Sequence, residues 1–138
     1  MVYRLALSRT RHIETAEDIF QEVFMKLSKK LPDFKSQEHE KAWLIRVTIN
    51  CSKNWLSSSW NSKNVTLEEN VHFEIQERND IYFEVMNLPQ KERTIIYLFY
   101  YEQLHLAEIA KLMNITEKNA KTRLYRARQK LKGGFLDE

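Results

Sequence analysis

An all-α chain of two small helical modules is the fold class this sequence predicts, and three observations point to it. Gly and Pro number two each in 138 residues, which leaves few helix breakers. Apolar residues recur at three- and four-residue intervals wherever they are dense, the period of one helix face. The charge is also blocked: residues 1–63 hold eleven Lys and Arg against seven Asp and Glu, and residues 88–138 hold ten against six. Between them, residues 64–87 hold only Arg78 against Glu68, Glu69, Glu74, Glu77, Asp80 and Glu84. Periodicity fades at Ser57-Ser58-Ser59-Trp60-Asn61-Ser62. The pattern predicts a first module over residues 1–62, an acidic linker over 63–77 and a second module over 78–138.

Val2, Tyr3, Leu5 and Ala6 open the chain as a partial helix. The next helix is stronger. Thr15 is placed to cap it with Asp18 three positions on, an acidic form of the capping box, and Ala16, Ile19, Phe20, Val23, Phe24 and Leu27 give a broad apolar face until Leu31-Pro32 stops it. Its other face carries Glu17, Asp18, Gln21 and Glu22. Asp33 to Glu40 reads as a polar loop holding one aromatic, Phe34. Ala42 to Leu56 returns to helix and is apolar nearly all round in its first half, which predicts central burial. Asn50 and Asn54 are the exceptions, on the stripe of Trp43 and Val47.

In the second module Leu88-Pro89 suits a helix start with Pro in the first turn. Leu106, Ile109, Ala110 and Met113 then form one helical face, and Asn114-Ile115-Thr116 interrupts it with an Asn tolerant of left-handed backbone and an N-capping Thr. Ala120, Leu124, Ala127 and Leu131 form the next apolar stripe. Opposite lie Lys118, Lys121, Thr122, Tyr125 and Gln129, flanked by Arg123, Arg126, Arg128, Lys130 and Lys132, and Gly133-Gly134 suits a stop. Two short helices around a tight turn, the second strongly cationic, make a helix-turn-helix whose second helix suits the DNA major groove. Solvated faces, membrane-surface helices and calmodulin-type targets share the basic amphipathic composition. The paired spacing and the turn chemistry favour DNA.

Other classes find less support. His12, His39, His72 and His105 are scattered, no second His follows His39-Glu40 at metal-binding spacing, and no Gly-rich phosphate loop is present, so catalysis, a metal and a cofactor are not expected. The apolar runs are too short to cross a bilayer and no signal core opens the chain, so a cytoplasmic protein is expected. Cys51 is the lone cysteine. It has no partner for an internal disulfide, and its apolar helical run suits a buried structural thiol.

At the level of motifs the chain resembles bacterial RNA polymerase sigma factors of the extracytoplasmic-function (ECF) group. Ala16-Glu17-Asp18-Ile19-Phe20-Gln21-Glu22-Val23-Phe24, then Ala42-Trp43-Leu44-Ile45 and Asn50, resemble region 2. Leu88-Pro89-Gln90-Lys91-Glu92-Arg93, Glu108-Ile109-Ala110 and Lys121-Thr122-Arg123-Leu124-Tyr125-Arg126-Ala127-Arg128 resemble region 4. Each motif is weak alone; both, in order and across a short linker, are specific.

The resemblance implies a factor that docks on core RNA polymerase, recognises two promoter elements and helps open the duplex. Asp18, Gln21 and Glu22 would meet the clamp helices of the polymerase β′ subunit. Phe34 matches the loop that accepts a flipped base of the minus-ten element, and Asn50 and Asn54 match positions lining or adjoining that pocket, where an amide can both donate to and accept from a base edge. Phe34 is equally readable as a loop anchor, and Trp43 as core. On the second module Lys121, Thr122, Tyr125 and Arg126 would read or approach bases of the minus-thirty-five element, while Lys118, Arg123, Arg128 and Lys130 would hold phosphates at the flanks. Promoter DNA, core polymerase and an anti-sigma factor are the implied partners, with no membrane insertion.

The chain departs from the family in three places. Members carry more residues ahead of Val2, implying a trimmed or late start. Leu56-Ser57-Ser58-Ser59-Trp60-Asn61 replaces a basic run, which weakens expected phosphate contacts. Asn119-Ala120 replaces a commoner Thr-Val pair, which implies a different upstream preference. Two rival readings stay open on the residues alone, a helix-turn-helix regulator of another class and a sigma-like decoy that binds a partner without initiating transcription.

Overall fold

A computed structural model describes residues 1–57 and 84–131. The acidic linker, the boundary at residue 62, Lys132 and Gly133-Gly134 lie outside the described residues. Among the described residues all regular structure is helical. The chain divides into two compact units, Met1–Thr66 and Leu67–Glu138.

In the first unit, α1 (Val2–Thr10), α2 (Ile13–Lys30) and α3 (Gln37–Leu56) pack pairwise against one another. Helix α1 ends where Arg11 turns left-handed (φ 59°) and its N–H returns to the Leu7 carbonyl at 2.8 Å. Helix α2 begins two residues ahead of the expected Thr15 cap. His12 is the N-cap instead, and its Nδ1 accepts the Thr15 N–H at 3.2 Å. Thr15 is itself buried, so its place is inside the first turn rather than ahead of it. The stop falls at Leu31-Pro32 as expected: the Pro ring disfavours right-handed helical backbone before it, and Leu31 adopts φ 44° while its N–H closes the last turn on Leu27 at 3.0 Å.

The core of this unit is narrower than the apolar pattern suggests. From α2 it takes Ala16, Ile19 and Val23, whereas Phe20 and Phe24 remain 41% and 39% exposed, their rings tilted against each other with centroids 4.8 Å apart. Three helices offer α2 two neighbours, and the angular width covered by them ends before the Phe20/Phe24 edge. Helix α3 is likewise buried along one side, Ile45, Thr48, Ile49 and Ser52 with Cys51 beside them, rather than all round. Ala42, Trp43 and Leu44 are half-buried. Polar atoms on the buried side are bonded within the unit: Thr48 Oγ1 donates to the Leu44 carbonyl at 2.7 Å and Ser52 Oγ to that of Ile49 at 2.8 Å, while from α1 the Arg9 guanidinium donates to Ser52 Oγ. Burial lowers the Arg9 pKa to about 10, which leaves it charged at neutral pH.

In the second unit, α4 (Gln90–Ile96) continues into a π-helical turn, Tyr97–Tyr101, followed by α5 (Leu106–Met113) and α6 (Glu117–Leu131). Pro89 is the N-cap of α4, one position ahead of the expected first turn. The π turn is closed by the Glu102 N–H on the Tyr97 carbonyl at 3.2 Å and by Tyr97 Oη donating to Glu102 Oε2 at 2.6 Å. Helix α6 packs on both α4 and α5 through Ala120, Leu124, Ala127 and Leu131, all buried. Alanines at two of these four positions let the helices approach closely, while the two leucines, worth roughly 1.5–3 kcal/mol each when fully buried, supply most of the apolar area.

Candidate nucleic-acid interface

The α5–α6 connection sets the direction of α6. Asn114 is left-handed at φ 60° and ψ 47°. The Ile115 N–H reaches the Ala110 carbonyl at 2.9 Å and the Asn114 N–H reaches Lys111 at 3.2 Å, the paired bonds of a Schellman turn. Thr116 Oγ1 then accepts the Asn119 N–H at 3.0 Å and caps α6. At the start of α5 the His105 N–H donates to Glu108 Oε1 at 3.3 Å. A helix stopped and restarted within three residues has one available exit angle, the requirement of a helix-turn-helix.

With the apolar stripe of α6 inward, its polar side chains divide into two groups. Lys118, Lys121, Thr122, Tyr125 and Arg126 are exposed, Tyr125 at 62%, and Arg123 is half-buried. This row can meet an anionic groove without rearranging the core. The last turn differs from expectation. Arg128 Nε donates to Tyr100 Oη at 2.6 Å, with the guanidinium carbon 5.5 Å from the Phe99 ring centroid and 5.6 Å from that of Tyr100. Lys130 Nζ lies 3.0 Å from both carboxylate oxygens of Glu92 on α4. Two of the eight cationic or polar candidates on α6 therefore face their own scaffold. Their partners lie 28 and 38 residues upstream, beyond the reach of any helical-period argument.

In the first unit Phe34 precedes the Ser36 cap of α3, whose Oγ accepts the His39 N–H at 3.0 Å. Phe34 is half-buried, edge-on to Trp43 at 5.7 Å and to His39 at 5.4 Å. His39 Nδ1 accepts the Lys35 N–H at 3.2 Å, so the ring braces the loop that carries Phe34. Metal-binding spacing is no guide to this role of His39, whose local signal is its place in the first turn of α3. Asn50 and Asn54 are exposed on α3, two and three turns beyond Trp43, roughly 10 and 16 Å along the axis. The structure brings Phe34 and Trp43 into contact and sets the two amides further along the same helix.

On α2, Asp18, Gln21 and Glu22 are all exposed. Glu22 pairs with Lys26 at 3.5 Å. Phe20, Phe24 and Met25 are exposed on the same helix, the two rings along the edge of its buried stripe and Met25 between Gln21 and Asp18 around the axis. Behind this face Cys51 is buried, and desolvation, reinforced by the charge of Glu22, pushes its thiol pKa up against a smaller opposing effect of Lys26. Among the described residues no group of three or more His, Cys, Asp or Glu is placed to hold a metal ion, and no helix is long and apolar enough to cross a membrane.

A two-unit helical chain with a capped helix-turn-helix and a cationic recognition helix defines a class of DNA-binding factor, and comparison with known proteins narrows it. Residues 1–62 match the family described as Sigma-70 region 2, and residues 78–131 match Sigma-70, region 4. The chain is 32% identical over 147 residues to the ECF RNA polymerase sigma factor SigM of Bacillus subtilis (strain 168), covering 95% of this chain and 86% of that protein. It is 30% identical over 131 residues to the RNA polymerase sigma factor SigV of the same organism, covering 91% and 78%. The solved sigma factor RpoE of Bartonella quintana, in complex with the anti-sigma factor NepR, shares the fold with a TM-score of 0.70 at 19% identity, over 96% of this chain and 88% of that one. The chain belongs to the ECF sigma factors of bacterial RNA polymerase.

Proposed function

We propose that this protein binds core RNA polymerase and directs promoter-specific initiation as a non-catalytic factor in the cytoplasm, its first unit gripping polymerase and a melted strand and its second reading intact duplex. The observation that carries this is the coexistence of two exposed faces of different chemistry. One is the acidic and amide face of α2, and the other is the cationic row of α6.

Asp18, Gln21 and Glu22 dock on the β′ clamp helices, with the exposed Met25 and the neighbouring Phe20 and Phe24 adding apolar area to the contact. Phe34, held against Trp43 and braced by His39, offers a ring to an unstacked base of the minus-ten element, and base stacking on such a ring is worth about 1–3 kcal/mol. Asn50 and Asn54 offer amides to the same strand. In the second unit, Lys121, Thr122, Tyr125 and Arg126 face bases of the minus-thirty-five element, and Lys118 and Arg123 hold flanking phosphates. An anti-sigma factor is the natural competitor for α2, because its exposed Phe20, Phe24 and Met25 need a cover when polymerase is absent.

Run-off transcription with purified core polymerase and a promoter library tests the reading. Transcripts from a discrete promoter set, dependent on this chain, are expected. Core binding without initiation from any promoter would replace it with the decoy reading.

A further inference from the structure

Arg128 and Lys130 stand in the last turns of α6, and both are engaged by side chains of α4 and the π turn. The Arg128 guanidinium donates to Tyr100 Oη at 2.6 Å and packs within 5.6 Å of the Phe99 and Tyr100 ring centroids. Its charge is thus shared between one hydrogen bond and two π faces, a combination a lysine could not reproduce. Lys130 Nζ lies 3.0 Å from each oxygen of Glu92. Glu92 is only 9% exposed, and withdrawal of Lys130 toward a phosphate would strip that buried carboxylate of the ammonium it is paired with. Such uncompensated burial is expensive, whereas a contact between an exposed cation and one phosphate returns little. Helix position agrees. A recognition helix reads bases with its N-terminal residues, and Arg128 lies eleven residues beyond Glu117, about 16 Å along the axis.

We propose that Arg128 and Lys130 are positioning residues that staple the recognition helix to α4 and the π turn, setting its angle in the groove without touching phosphate themselves. This rests on the reading of α6 as the duplex-binding helix. The Tyr100–Arg128 and Glu92–Lys130 contacts act on opposite strips of the same helix end, one on the π turn and one on α4, and together they resist rotation of α6 about its axis.

The test substitutes the partners rather than the cations. Glu92→Gln and Tyr100→Phe leave Lys130 and Arg128 in place but loosen them. With the full chain assembled on core polymerase, binding to a duplex bearing the upstream element is measured over a salt series, well below the unfolding temperature. Positioning predicts that each variant weakens specific binding about tenfold and leaves the slope of log affinity against log salt unchanged. A purely stabilising role would lower the melting temperature while affinity below it stayed constant, and that result overturns the proposal. Tighter binding, with the slope steepened by about 0.9 per freed cation, would show that the cations seek phosphate and would also overturn it. Absence of binding by the unaltered chain would remove the duplex-reading assignment itself, and the positioning role with it.

Discussion

At the scale of single residues, function concentrates on side chains that the fold leaves outside. Lys121 and Arg126 are exposed on α6, and changing either to Ala is expected to weaken upstream-element binding by about 1–3 kcal/mol if it reads a base edge, with core affinity intact. Filter binding to matched and mismatched duplexes separates the cases: lost discrimination marks base contact, and a uniform loss with a shallower salt slope marks phosphate contact. Equal loss of duplex and core binding would mean misfolding. Cys51 supplies a check on burial. Its thiol is held above its ordinary pKa, chiefly by desolvation, so the folded state keeps its proton at pH values where the unfolded thiol ionises. Whatever stability this provides falls as pH rises through the alkaline range. A thiol reagent at neutral pH is expected to label Cys51 far more slowly in the native chain than in denaturant, and equal rates would contradict its placement. The α6 cations and the buried thiol were both readable in sequence because each depends on local helical phase. The engagement of Arg128 and Lys130 was not, because Tyr100 and Glu92 are distant in sequence and nothing in a helical wheel distinguishes a free cation from a stapled one.

At the scale of elements, the α5–α6 turn carries the most information per residue. Asn114 sits at φ 60°, where a β-carbon is costly and Asn or Gly is favoured. Asn114→Ala is expected to lower unfolding free energy by about 1 kcal/mol and Asn114→Gly to leave it nearly unchanged. Thr116→Ala removes the cap on Asn119 and should cost about 1 kcal/mol. Chemical denaturation of the three variants distinguishes turn strain from general sensitivity, since equal losses for Asn114→Ala and Asn114→Gly would argue against the strain account. This turn was legible in sequence because Asn, Ile and Thr interrupt a clear period. The start of α2 was not, because His12 is an uncommon cap and Thr15 three residues later offers a more usual one. That Phe20 and Phe24, on the expected broad apolar face of α2, stay 41% and 39% exposed was illegible for a related reason. Periodicity says which residues share a face and leaves open how much of that face neighbouring helices cover.

At the scale of the whole molecule, charge and composition pointed to two basic helical modules. Each described unit has its own core, Leu5, Ile19, Val23, Ile45 and Ile49 in one and Ile95, Leu98, Ile109, Ala120 and Leu124 in the other. Independent cores make separable functions physically reasonable. Ile109→Ala, at a fully buried site, should cost about 2–5 kcal/mol and abolish duplex binding while core association through α2 persists. Pull-down of core polymerase checks this, and loss of association would tie the two activities to one core.

The division of labour is tested most directly by two variants measured side by side for core association and for upstream-duplex binding. In one, Asp18, Gln21 and Glu22 become Ala, and in the other, Lys121 and Arg126 do. The account predicts that the first loses core polymerase and keeps duplex, and that the second loses duplex and keeps core polymerase. Loss of both activities in either variant, or of neither in both, would contradict it.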